Sequence, residues 1–160
     1  MQTVTIICEG KLKEKYLRDA CAEYAKRLSA YCKLNIVELN PHRISESPSS
    51  AEIDAVLQAE SVEILSKIPS NAKVYAMCIE GKQMPSEKLA EEISSCAVRG
   101  YSNIVFVIGG SHGLSESVKK RADFRLSMSE MTFPHQLARV MLLEQIYRAY
   151  QISTGGKYHK

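Results

Sequence analysis

Residues 103–113 read Asn-Ile-Val-Phe-Val-Ile-Gly-Gly-Ser-His-Gly, and this stretch decides the fold. Its β-branched and aromatic residues predict a buried strand that ends directly in a glycine loop. A second loop, at residues 127–134, leads through Pro134 into a long helical pattern. Because such loops at the carboxyl ends of neighbouring strands bind the ligand of an open α/β sheet, we expect the active site after residue 100.

Hydrophobic periodicity alternates strands with helices along the whole chain. Strand patterns cover 3–8, 34–39, 73–79, 104–108 and 124–128, and helical patterns cover 14–28, 51–67, 87–98, 114–121 and 134–150. This order predicts an α/β fold, with a mostly parallel sheet and helices on both faces. A length of 160 residues suits one domain, 1–160, with one core. Ser86 is the expected cap of the third helix, and Tyr16 is among the residues that we expect on the apolar face of the first helix.

The composition is that of a globular cytoplasmic protein. Hydrophobic residues make up 45% of the chain and charged residues 24%, and no run approaches the roughly 18 apolar residues of a membrane span. The first residues lack the basic start of a signal peptide. Five cysteines without a Cys-x-x-Cys pair predict buried thiols in a reducing compartment and no metal site.

The positive charge is concentrated in two places. Residues 101–160 carry eight Lys and Arg against four Asp and Glu, whereas residues 1–100 carry thirteen against fourteen. At the first strand-to-helix junction, Lys11, Lys13 and Arg18 form a basic cluster that we expect to contact phosphates. A solvated surface would give the same pattern, so charge alone does not establish a polyanionic partner.

The last helical pattern is apolar around most of its circumference. Since a surface helix needs only one apolar stripe, we expect a second subunit to cover part of this helix and the protein to be a homodimer. The alternative is burial within the core of one subunit. The residues in question are Leu137, Val140, Met141, Leu143, Ile146, Tyr147 and Tyr150.

The glycine loop matches neither of two common phosphate-binding motifs. The chain has no Gly-x-x-x-x-Gly-Lys-Ser/Thr after a strand and no Gly-x-Gly-x-x-Gly, which disfavours nucleoside triphosphate and nicotinamide cofactors. Backbone amides and carbonyls that lack side chains can instead contact the edge of a purine in an apolar slot.

Four segments carry a resemblance to a known family. They are Phe106-Val-Ile-Gly-Gly-Ser-His-Gly-Leu114, Met131-Thr-Phe-Pro-His-Gln136 with Arg139, Glu144-Gln-Ile-Tyr-Arg-Ala-Tyr150, and Tyr158-His-Lys160. In this order, and over essentially the whole chain, the sequence resembles the ribosomal RNA large subunit methyltransferase H family. Departures from the usual pattern are His112, Glu130 and Pro85.

The resemblance implies a trefoil-knotted SPOUT fold and a defined reaction. Members use S-adenosylmethionine to methylate N3 of a pseudouridine in large-subunit (23S) ribosomal RNA, and assembled ribosomes are the favoured substrate. A knot would be an exception to the rule that connections do not thread loops. The implied cofactor-binding residues are Met77, Gly81, Gly109, Gly110, Gly113, Ser129, Glu130, Met131, Thr132, Phe133 and Pro134.

Four residues are candidates for catalysis. The N3 atom carries a proton that must leave, so a base or a cation beside the ring would help. His135 and Arg139 share a helical face, and Tyr158 and His159 follow a Gly-Gly pair in the tail. Two alternatives stay open: a SPOUT enzyme that acts on another RNA, and a non-catalytic ribosome-associated factor that binds RNA.

Overall fold

The computed structural model describes residues 1–160, in which five strands and five helices alternate. The strands are β1 (Thr3–Glu9), β2 (Lys33–Leu39), β3 (Ala72–Lys82), β4 (Asn103–Ile108) and β5 (Phe124–Leu126). The helices are α1 (Lys15–Leu28), α2 (Ser50–Ser66), α3 (Ser86–Val98), α4 (Glu116–Arg121) and α5 (His135–Ser153). Each predicted element is present, and its ends differ by a few residues.

All five strands belong to one sheet with the order β2-β1-β4-β3-β5. Every neighbouring pair is parallel, which confirms the predicted fold class. The register brings the ends of four strands to one level. Ile108 of β4 pairs with both Cys8 of β1 and Met77 of β3, and Met77 also pairs with Leu126 of β5. The carboxyl ends of the four strands β1, β4, β3 and β5 therefore meet at one edge of the sheet.

Two layers of helices cover the sheet. Alternate residues of β4 point to opposite faces, and the strand is buried along nearly its whole length, as expected for a parallel sheet covered on both sides. One face packs against α1, α3 and α5, through Phe106, Leu28, Ile93 and Ile146. The other face packs against α2 and α4, through Val105, Val107, Ile64 and Val118.

Local contacts correct two expectations about the helices. Pro85, not Ser86, is the N-cap of α3, and the Ser86 hydroxyl donates to Gln145 Oε1 of α5 over 2.7 Å. Tyr16, assigned from the sequence to the apolar face of α1, is 71% exposed. The buried stripe of α1 is narrower and consists of Leu17, Cys21 and Leu28.

The five cysteines are free and buried, as predicted. Burial raises the pKa of the Cys8 and Cys32 thiols to about 11, so these groups are not ionised at neutral pH. No group of three or more His, Cys, Asp or Glu side chains is arranged to hold a metal ion. None of the helices combines the length and the apolarity that crossing a bilayer requires.

Helix α5 lies against both α1 and α3 on its face of the sheet. These neighbours bury Leu143, Ile146 and Tyr150 completely or nearly so. Contacts within one subunit therefore bury much of the apolar surface of α5, part of which we expected a second subunit to cover. Leu137 is 39% exposed and Val140 is half-buried, so an apolar strip along α5 is still open to a partner.

Candidate active site

A cavity of about 400 Å³ opens at the carboxyl edge of the sheet. Three segments form its wall: the end of β3, the glycine loop after β4, and the segment that joins β5 to α5. The volume suits a small molecule, and the lining is half apolar. The sequence placed the ligand site at these same three segments.

The glycine loop is folded tightly on itself. Gly110 and Gly113 form an isolated antiparallel bridge, and the Gly113 amide donates to the Gly110 carbonyl over 3.1 Å. A Cβ on Gly109 would lie 2.6 Å from the carbonyl carbon of Gly113, and Gly113 has a φ of +78°. Because glycine is needed for the loop's own backbone contacts, the loop presents peptide groups to the cavity.

Hydrogen bonds within the third segment fix its course across the cavity. The Ser127 amide donates to the Lys82 carbonyl over 3.0 Å, which ties the segment to the end of β3. The Ser127 hydroxyl donates to the Ser129 carbonyl, and the Met131 amide donates to Ser129 Oγ, both over 3.0 Å. Met131 is 74% exposed, so an apolar side chain lies open at the rim.

Most of the predicted cofactor residues lie on the cavity wall. Those that line it are Met77, Gly109, Gly110, Gly113, Ser129, Met131, Thr132 and Phe133. Gly81, Glu130 and Pro134 do not line it. A Cβ on Gly81 would lie 2.6 Å from the Arg125 carbonyl oxygen, so this glycine permits β3 to approach β5. Glu130 points to solvent, and Pro134 is the N-cap of α5.

The structure separates His135 from Arg139. His135 lines the cavity, and burial, followed by the positive charge of Arg139, lowers its pKa. Arg139 is only 2% exposed and lies outside the cavity wall. Its Nη1 donates to Glu38 Oε2 over 2.6 Å, and its Nη2 donates to the Gly10 carbonyl over 3.0 Å. Arg139 thereby fixes the first turns of α5 to the ends of β1 and β2.

The tail packs on α3 and α5 and does not line the cavity. The Tyr158 hydroxyl donates to Glu144 Oε1 over 3.3 Å, and the Arg148 guanidinium lies 4.8 Å from the centre of the Tyr158 ring. His159 Nε2 is 2.8 Å from Glu87 Oε1, and its Nδ1 is 3.0 Å from Arg148 Nη1. Arg148 also pairs with Glu144 over 2.6 Å, as the helical spacing predicts.

The basic cluster at the start of α1 divides into two kinds of residue. Lys11 and Lys13 are exposed. Arg18 Nη1 donates to the carbonyls of Leu12 and Lys13 over 3.2 and 2.5 Å, so its guanidinium supports the loop that carries the two lysines.

Sequence reasoning missed an ion pair on the cavity wall. Lys119 Nζ lies 2.6 Å from Glu80 Oε1, and both residues line the cavity. Glu80 could have been found from the sequence, because it directly follows the apolar part of β3, where a residue at the ligand-binding edge is expected. Lys119 could not, because it is one of three successive basic residues of α4, a pattern typical of a solvated surface.

A second unpredicted feature is the carboxylate of Glu9, the last residue of β1. Glu9 is 3% exposed, and neither of its oxygens has a hydrogen-bond partner. Burial, followed by the charge of Glu60, raises its pKa to about 7. It supports the glycine loop from below, since a Cβ on Gly110 would lie 3.6 Å from Glu9 Cβ.

Comparison with known proteins gives a consistent result over the whole chain. The family model described as "Predicted SPOUT methyltransferase" matches residues 1–159. The ribosomal RNA large subunit methyltransferase H of Clostridium novyi is 55% identical over 157 residues, which cover 98% of this chain and 99% of that protein. The protein of the same name from Clostridioides difficile is 52% identical over the same shares of both chains.

Solved structures with little sequence identity share the fold. A probable methylase family protein from Haemophilus influenzae Rd KW20 superposes with a TM-score of 0.53 at 13% identity, covering 98% of this chain and 70% of that one. A methylase family protein from Neisseria gonorrhoeae gives a TM-score of 0.52 at 15% identity, covering 92% and 82%.

Proposed function

The chain belongs to the SPOUT methyltransferase family, and on that premise we propose that it methylates N3 of a pseudouridine in 23S ribosomal RNA with S-adenosylmethionine as donor. The names of its relatives in Clostridium novyi and Clostridioides difficile support the ribosomal substrate. The observation that carries the proposal is the cavity enclosed by the ends of β3 and β4 and by the segment before α5.

The residues of the cavity fit the proposed donor. Peptide groups of Gly109–Gly113 are available to the edge of an adenine, and Met77, Met131 and Phe133 offer apolar contacts to its faces. When bound, S-adenosylmethionine supplies a methyl group activated by a sulfonium. The protein must hold the acceptor nitrogen in line with that group and exclude water from the cleft.

His135 is the residue best placed to accept the N3 proton. It lines the cavity, and its lowered pKa keeps the imidazole neutral at neutral pH, the form that accepts a proton. Arg139 acts on His135 through its charge and does not reach the cavity, so we propose it as a positioning residue. We propose that Tyr158 and His159 contact the RNA after release from Glu144 and Glu87.

The surroundings of the cavity suit a polyanionic substrate. Exposed Lys11 and Lys13 follow β1 at the same edge of the sheet as the cavity, and the protein has a formal charge of +3. We propose that these lysines, on the loop supported by Arg18, contact phosphates of the RNA. Assembled ribosomes in the cytoplasm are the proposed substrate.

We further propose a homodimer and a trefoil knot. The dimer is supported by the open apolar strip along α5, where Leu137 is 39% exposed. The knot is supported by the path of the chain after β4, which returns to pair β5 with the far side of β3 and then runs back to place α5 between α1 and α3. Light scattering measures the dimer directly.

The decisive experiment is mass spectrometry of 23S RNA, and of the other cellular RNAs, from a deletion strain and from the same strain complemented with the native protein or with His135→Ala. We expect a methylated pseudouridine only with the native protein. A methyl group on another RNA would identify a different SPOUT substrate, and an unchanged methylation pattern together with no uptake of S-adenosylmethionine would indicate a non-catalytic RNA-binding factor. Tritium transfer to purified ribosomes and to free RNA compares the two forms of the substrate.

A further inference from the structure

The ion pair between Glu80 and Lys119 is unusual in its position. The cavity wall otherwise consists of apolar side chains, small polar groups, bare glycines and the imidazoles of His112 and His135. Lys119 reaches the wall from α4, and Glu80 reaches it from the end of β3. One anionic and one cationic group thus lie side by side, 2.6 Å apart, in the same cavity.

The two charged side chains differ in their exposure to solvent. The Lys119 side chain is 17% exposed, whereas that of Glu80 is 51% exposed. A hydrogen bond between them, before any other cause, raises the pKa of Lys119 and lowers that of Glu80, so both groups are charged at neutral pH. The ammonium is therefore largely enclosed by the wall, and the carboxylate lies half exposed at the rim.

Neighbouring charges balance the pair. Glu116 Oε1 lies 3.9 Å from Lys119 Nζ, and Arg125 Nη2 lies 3.9 Å from Glu116 Oε2. The four residues together have no net charge and alternate in sign. A ligand group with a single net charge would leave one of them unbalanced, whereas a zwitterion can enter between Lys119 and Glu80 and pair with both.

From this geometry we propose that Lys119 and Glu80 form a subsite for the α-amino-acid end of the methyl donor, in which Lys119 binds the carboxylate and Glu80 binds the ammonium. The inference rests on the proposed function, because it assumes that an adenosyl amino acid occupies the cavity. It adds a determinant of specificity: the protein distinguishes donors and products that carry the amino-acid end from nucleosides that lack it.

Calorimetric titration with two probes tests the subsite without any methyl transfer. S-adenosylhomocysteine carries the zwitterion but no sulfonium, and 5′-methylthioadenosine has the same thioether without the amino acid. The variants are Lys119→Gln and Glu80→Gln, with Lys120→Gln as the matched control, since Lys120 is an exposed neighbour on α4 outside the cavity wall.

We expect Lys119→Gln and Glu80→Gln each to weaken binding of S-adenosylhomocysteine by roughly 10- to 100-fold, as for the loss of one hydrogen bond to a charged group. Binding of 5′-methylthioadenosine should change by less than about threefold, and this second probe also reports that the variants are folded. Lys120→Gln should leave both affinities unchanged.

Two results would overturn the inference, and they differ in what they say about the function. If the native protein binds S-adenosylhomocysteine but the substitutions weaken both probes equally or neither, the amino-acid subsite is wrong and the methyl-donor cavity stands. If the native protein binds neither S-adenosylhomocysteine nor 5′-methylthioadenosine, the proposed function fails as well.

Discussion

Substitution of the buried Glu9 carboxyl by an amide, Glu9→Gln, should remove the pH-dependent contribution that this carboxyl makes to the stability of the folded protein. The pKa of Glu9 rises from an ordinary value of 4.5 to about 7 in the folded protein, because its carboxyl is buried beside Glu60 and Glu63. Between these two values the folded protein holds a proton that the unfolded chain has released. Stability therefore falls as the pH rises through this window, and the loss is complete above about pH 7.

The size of the loss follows from the interval between the two pKa values. At 1.36 kcal/mol for each pH unit, the interval from 4.5 to about 7 corresponds to about 3 kcal/mol of unfolding free energy. Glu60 is also buried with a raised pKa, so it adds a contribution of the same sign. Glu9→Gln removes only the contribution of Glu9.

Urea denaturation at a series of pH values from about 4.5 to 8 measures this difference. Between the two ends, the native protein should lose about 3 kcal/mol more than Glu9→Gln does, whatever the buried amide itself costs, because that cost does not depend on pH. Glu14→Gln is the control, since Glu14 is exposed before α1. Equal pH slopes for the native protein and Glu9→Gln would refute the reasoning.

Three further substitutions test the site. Gly109→Ala should abolish S-adenosylmethionine binding in calorimetry, because the added Cβ would collide with the Gly113 backbone. Gly110→Ala is the control: the nearest contact of its Cβ is at 3.6 Å, so its affinity should be within a few-fold of that of the native protein. Equal affinities of the two variants would contradict this prediction. His135→Ala should lower the rate of tritium transfer to ribosomes by about 100-fold or more while S-adenosylmethionine binding is kept. The activity of the native protein should fall at acid pH, because His135 then gains a proton. An unchanged rate in His135→Ala would show that His135 is not the base. Arg139→Met should destabilise the protein by about 1 to 3 kcal/mol in urea denaturation, because the Glu38 carboxylate and the Gly10 carbonyl lose a charged donor. Arg43→Met, at an exposed position, should change stability much less, and equal losses would show that these hydrogen bonds contribute nothing measurable.

The fold was predictable because its signals are local. The apolar run of β4 and the glycine loop that follows are contiguous in the sequence, and alternation of strand and helix patterns is enough to predict a parallel sheet. The ends of the three loops meet at one edge of such a sheet as a matter of topology. Nine of the twenty residues of the cavity wall, including Met77, Gly109 and Phe133, were named from the sequence, the cofactor residues among them through the family resemblance.

Side-chain contacts between distant segments were not predictable in this way. Helical spacing places His135 and Arg139 on one face, but the long Arg139 side chain ends at Glu38, 101 residues away in sequence. Ser86 has the chemistry of a helix cap, yet its hydroxyl contacts Gln145, 59 residues away. The burial of Glu9 depends on the position of α2 over the end of β1, which no pattern within β1 reports.

These distant contacts connect the chemistry of the cavity to the sheet. The cavity wall is largely backbone, so its shape depends on glycine contacts such as that between Gly109 and Gly113. Burial, followed by the charge of Arg139, lowers the pKa of His135, and the position of Arg139 is set by Glu38 near the end of β2. Because β1 and β2 carry no residue of the cavity wall, they influence the proposed base through α5: Glu38 and the Gly10 carbonyl hold the charge of Arg139, which acts together with burial to lower the pKa of His135.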